Sequence, residues 1–149
     1  MNRLHTAFCV ALTGSLLSLG ACSEAPMRPM STALSARLSG ASEVPAVKTD
    51  ATGIVEASLG SGTNLLTWKI TYSGLSGPAT GAHFHGPAMA GQNAGVVVPI
   101  SAPLASPISG SATLTPAQAA DLSAGRWYVN LHTAANPNGE VRGQMGVRP

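Results

Sequence analysis

Charge is scarce in this sequence. Asp, Glu, Lys and Arg make up 9% of its 149 residues, and the eight basic side chains, set against six acidic ones for a net charge of +2, are scattered singly from Arg3 to Arg148. A nucleic-acid binder clusters Lys and Arg to neutralise several phosphates. The scatter argues against nucleic acid as a partner and excludes a polybasic membrane patch. Cysteine is nearly missing, with only Cys9 and Cys22. The acids are far apart, so no carboxylate pair is set for acid/base work. No G-x-S-x-G elbow occurs, and the glycine-rich stretch from Gly86 to Gly91 lacks the lysine and following helix of a phosphate loop. No catalytic residue is assigned, and the balance favours binding over catalysis.

What is present is turn-rich β sequence. A chain of this length that is 44% hydrophobic predicts one core and one domain. Its 17 Gly and 11 Pro supply many turns but fall short of the roughly 25–30% that marks disorder. Leu66, Trp68, Ile70 and Tyr72 alternate with Thr67, Lys69 and Thr71, the pattern of a half-buried strand. Further strands are expected over 34–38, 53–59, 80–85, 95–100, 108–114, 127–132 and 140–145. About eight strands at this spacing predict an all-β, antiparallel Greek-key sandwich or barrel. One short helix interrupts them. Thr115-Pro116-Ala117-Gln118 reads as a capping box with proline in the first turn, Gly125 ends the helix, and Leu122 should point inward.

The first 21 residues read as an address. Arg3 precedes a run without Lys, Arg, Asp or Glu from Leu4 to Gly20, which Thr6, Thr13, Gly14, Ser15 and Ser18 make too polar for a membrane span of about 20 apolar residues. Leu19-Gly20-Ala21-Cys22 resembles a bacterial lipobox. The resemblance implies a signal peptide over 1–21, lipidation of Cys22 as the mature N-terminus, and a membrane partner reached through that lipid. Residues 22–33 would form a tether and 34–147 the domain. The protein is then exported and anchored on the periplasmic or cell-surface side. Ser23 favours the outer membrane where there are two. Cys9 leaves with the signal peptide and Cys22 carries lipid, so no disulfide remains.

Three histidines remain in the mature chain: His83 and His85 in AHFH, and His132 in YVNLH. Side chains alternate across a strand, so His83 and His85 share a face while Ala82 and Phe84 take the core. By the same parity Val129 and Leu131 face inward, with Tyr128, Asn130 and His132 opposite. Should the two strands lie close, three imidazoles converge. Such a set suits copper, and less readily zinc, with a coordination position left open. Met89 and Met145 add thioethers that would favour Cu(I), although filling core gaps is their commoner use. The alternative is that the histidines only hydrogen-bond loops. For Glu140 and Arg142, two apart on one strand face, an ion pair or a cross-strand partner is expected.

These blocks carry a family resemblance. EVP at Glu43 to Pro45, AHFHGPA from Ala82, NAGVVV from Asn93, TLTPAQ from Thr113, LSAG from Leu122, YVNLHT from Tyr128 and NPNGEVRGQ from Asn136 resemble the CHRD domain, named for its occurrence in chordin. The resemblance spans about 36 to 145. It implies an exported β domain, and it does not carry chordin's growth-factor binding to a chain with one such domain. The His-x-His pair with a later strand histidine is also similar to the copper site of Cu,Zn superoxide dismutases. That similarity implies His83 and His85 as paired copper ligands and His132 as the late one. The bridging histidine, zinc-binding aspartate and disulfide cysteines of those enzymes have no counterparts here. Three functions therefore stand: a lipid-anchored copper- or zinc-binding domain, an envelope or matrix interaction module with structural histidines and an unidentified protein or surface partner, and a copper-dependent, dismutase-like redox enzyme.

Overall fold

Alternation of apolar and polar residues builds nine strands in one antiparallel sheet. The computed structural model describes residues 30–148. The segment expected to be a signal peptide, Cys22 and the expected tether up to residue 29 lie outside the described residues. The strands are β1 (Ser31–Ser39), β2 (Thr52–Gly60), β3 (Leu65–Ser73), β4 (Ala79–His85), β5 (Val96–Pro99), β6 (Ile108–Thr113), β7 (Tyr128–Thr133), β8 (Val141–Gln144) and the short β9 (Gly146–Val147). Each of the eight expected strands is present. β1 starts three residues before Leu34, because Ser31, Thr32 and Ala33 pair with Gly60, Leu59 and Ser58 of β2.

The order across the sheet is β5-β4-β7-β8-β1-β2-β3-β6, with β9 beside β1. Its two ends, β5 and β6, flank a single cleft of about 620 Å³, so the sheet curls into a nearly closed barrel. β4 pairs with β5 on one side and β7 on the other, and β6 is paired only with β3 at the far end of the sheet. The helix α1 (Pro116–Ser123) carries β6 over to β7. Its capping box forms as the sequence predicts, with Gln118 N–H donating to Thr115 Oγ1 at 3.2 Å and Thr115 N–H to Gln118 Oε1 at 2.9 Å. Leu122 is fully buried beneath it.

The core is lined by one face of each strand. In β3 Leu66, Trp68 and Ile70 are buried and Leu65, Thr67, Lys69 and Thr71 are exposed. Phe84 sits between two indoles, 5.1 Å from Trp68 and 6.2 Å from Trp127. Burying a ring of that size is worth about 1.5–3 kcal/mol. That packing fixes the facing of β4 and turns His83 and His85 to the other side. The outer face of β7 is not open to water, as a plain half-buried strand would be. Residues 40–48 and 86–95 fold over it, and Tyr128 and Asn130 are buried on that side while Val129 and Leu131 are buried in the core.

Candidate metal centre

The site grows from the β4–β7 pairing. His83 is opposite Asn130 and His85 opposite Tyr128, while His132 is opposite Gly81, with a bulge between Ala79 and Gly81. A glycine at that point leaves room for two rings: a Cβ on Gly81 would lie 3.3 Å from the His83 ring and 3.5 Å from that of His132. The three predicted histidines are brought together. One nitrogen from each lies within 4.8 Å of the other two. Three imidazole nitrogens spread around a single ion at about 2.0–2.1 Å are roughly 3.3–3.6 Å apart, so ring shifts on the order of 1 Å would close the set around a metal.

Hydrogen bonds decide which nitrogens are available. His85 Nδ1–H donates to the carbonyl of Ala94 at 3.0 Å, and His132 Nδ1–H to the carbonyl of Pro137 at 3.0 Å. A carbonyl only accepts, so in the neutral rings the lone pairs are on Nε2. Both Nε2 atoms lie 3.0 Å from Asn130 Oδ1, another acceptor. His83 Nδ1 approaches His132 Nε2 at 3.1 Å. His83 Nδ1–H can donate to the His132 lone pair, and the His85 lone pair facing Asn130 Oδ1 is relieved either by a positive charge between them or by a half-turn of the amide that presents Nδ2. Imidazoles whose outer N–H groups are tied to backbone carbonyls are the usual support of a metal ligand.

Electrostatics keeps two of these rings neutral. Burial lowers His83 below its ordinary value of 6.5, and His132 and His85 add to the effect. Burial also lowers His85, against the hydrogen bonds to Ala94 and Asn130, and the charges of His132 and Arg142 add to the lowering. Neutral imidazole is the form that binds metal.

Several residues around the histidines carried no role in the sequence. Tyr128 stacks on His85, with ring centroids 4.7 Å apart and planes within 1°. Arg142 lies over the same tyrosine ring, its guanidinium carbon 3.4 Å from the centroid. The expectation for Glu140 and Arg142 is corrected in part. They do not pair with each other; the cross-strand alternative holds, with Arg142 over Tyr128 and Glu140 accepting from Thr133, two β7 residues, and each also reaches a distant loop. Arg142 donates to the carbonyl of Gln92 at 2.6 Å and to Asn93 Oδ1 at 2.9 Å. Glu140 accepts from Ser76 N–H and Oγ, Thr133 Oγ1 and Thr49 Oγ1. Glu43, also buried, lies beside the amide nitrogen of Asn130, and its Oε1 has no hydrogen-bond partner among the described residues. Burial raises its carboxyl to about 7, against the charge of Arg142, the Val44 N–H and the Asn130 amide. Strand parity could have flagged Asn130, which shares a face with His132. Nothing in the sequence marks Glu43.

The remaining candidates fall elsewhere. Met145 is a core residue, as gap-filling predicts, and Met89 is exposed after β4. None of the histidines lines the cleft between β5 and β6. Cys22 lies outside the described residues.

Comparison with known proteins gives one match. The model of a protein family, the CHRD domain, matches residues 34–145. No curated protein and no solved structure matches. The likeness to the dismutase copper site therefore rests on the three histidines alone.

Proposed function

The chain belongs to the CHRD domain family, and on that premise we propose that it is the metal-binding domain of an exported, lipid-anchored protein. It holds one copper ion, or less readily zinc, through His83, His85 and His132. The observation that carries this reading is the convergence of three imidazole nitrogens within 4.8 Å, with two of the rings braced by backbone carbonyls. A set of three nitrogens suits either metal and leaves a position open. Leu19-Gly20-Ala21-Cys22 supports an anchor on the periplasmic or cell-surface side, with Ser23 favouring the outer membrane.

The test is metal titration of the whole chain beside a variant with His83, His85 and His132 all changed to Ala. One tight equivalent in the wild type, lost in the variant, is the expected result; equal binding by both rejects the site. For the anchor, Cys22→Ala should move the protein from the membrane to the soluble fraction.

A second reading has an observation of its own. His85 ties down residues 86–95 through Ala94, and His132 ties down the β7–β8 turn through Pro137. An interaction module that uses its histidines only as such staples predicts lower stability in the same variant with no change in metal affinity.

A further inference from the structure

The metal reading leaves open which charge state of copper the site favours, and the buried arginine bears on that. Tyr128 is on β7, with β4 on one side and β8 on the other, so His85 and Arg142 reach its ring from opposite flanks. The side chains form a stack: imidazole, phenol, guanidinium. Arg142 is 2% exposed, and its hydrogen bonds go to neutral oxygens of Gln92 and Asn93. Among the described residues no carboxylate makes an ion pair with it, since the pairs found are Arg126 with Asp121 and Arg148 with Glu56. The histidine set brings no negative charge either, and the nearby Asn130 is neutral.

We propose that Arg142 sets the charge preference of the metal centre, making it a site for Cu(I) over Cu(II) and Zn(II). This rests on the copper reading above. A dication one tyrosine ring away from a buried guanidinium meets twice the repulsion a monocation does, and the protein interior screens that difference far less than water. Three neutral imidazoles cannot offset it as a carboxylate or thiolate ligand would. They are also compatible with copper as a ligand type. Two buried carboxyls bear on the balance. Glu43 faces Arg142 and neutralises it in part. Glu140 is engaged by Ser76, Thr133 and Thr49.

The experiment measures Cu(I), Cu(II) and Zn(II) affinities of the whole chain against competing chelators, for the wild type and for Arg142→Gln, Arg142→Lys and Glu43→Gln. The wild type should bind Cu(I) at least tenfold more tightly than Cu(II), which places its potential about 59 mV or more above that of the aqueous couple. Arg142→Gln should shrink the ratio at least tenfold, Arg142→Lys should keep most of it, and Glu43→Gln should widen it. If Arg142→Gln does not fold, the wild-type ratio and Glu43→Gln decide the matter. Copper binding with Cu(II) preferred, or with a ratio that none of the substitutions moves, overturns this inference and leaves the copper reading standing. Failure of the folded wild type to bind any of the ions overturns both.

Discussion

Asn130 Oδ1 lies 3.0 Å from His85 Nε2, and the hydrogen on that imidazole is already committed to Ala94 on the other side of the ring. The pair lacks a hydrogen between its two atoms, which a proton on the ring or a half-turn of the amide supplies, and a metal ion replaces. Burial and neighbouring charge work against the proton, since His83 and His85 are both held below 6.5. Protonation of His83 and His85 should therefore compete with metal only below pH 6.5, where affinity falls. Titrations at half-unit steps between pH 5 and 8 measure this, and a fall centred above 6.5 would contradict it. Without metal the same groups give a stability term with a fixed sign. Their folded values lie below the unfolded one, so the term is present above 6.5 and is lost as pH falls through the folded values.

Glu43 has the opposite dependence. Its carboxyl is raised from 4.5 to about 7, chiefly by burial. The stability linked to the protonated form is complete below pH 4.5 and is lost as pH rises through about 7. Glu43→Gln removes the ionisation and should leave the protein more stable than the wild type at pH 8.5, by on the order of 2 kcal/mol. At pH 5 the difference should be small. Urea denaturation at the two pH values checks this, and an equal offset at both would show that ionisation is not the cause.

Glu140 is a buried carboxylate with the reverse balance. Burial raises it, but donors from Ser76, Thr133 and Thr49 outweigh that and hold it at about 2. Its contribution is present above 4.5 and lost as pH falls towards 2. Glu140→Gln turns acceptor sites into a donor and should cost about 2–3 kcal/mol at pH 7. The gap between variant and wild type should close as the pH approaches 2, which denaturant midpoints along a pH series would show.

Much of this was legible in the sequence because period-two alternation is a local signal. It placed Ala82 and Phe84 inward, set His83, His85 and His132 on the outer face, and marked the helix through Thr115 and Gln118. Long-range placement was not legible. Nothing local states that His132 falls opposite Gly81, or that residues 86–95 fold back to cover Tyr128 and Asn130. The expected ion pair between Glu140 and Arg142 fails for the same reason. Among their partners Ser76 and Gln92 are 64 and 50 residues away, so much of the hydrogen bonding of both side chains runs across the fold.

Gly139 joins turn geometry to the site. Its φ of +124° is a conformation that favours glycine, and a Cβ there would lie 2.4 Å from Glu43 Oε1 and 2.8 Å from Asn130 Nδ2. The turn it closes also carries Pro137, whose carbonyl fixes the His132 ring. Gly139→Ala should cost about 2–3 kcal/mol, combining backbone strain with displacement of the Glu43–Asn130 contact. It should also weaken metal binding, because both the His132 brace and Asn130 must move. Gly62→Ala is the control. Gly62 has a positive φ of +78° but nothing within 4 Å of a Cβ, so its cost should be the backbone term alone, about 1 kcal/mol, with metal affinity unchanged. Chemical denaturation and metal titration of the two variants side by side separate strain from crowding. Equal losses of stability in both, with metal affinity intact in Gly139→Ala, would show that the turn is not part of the metal centre's support.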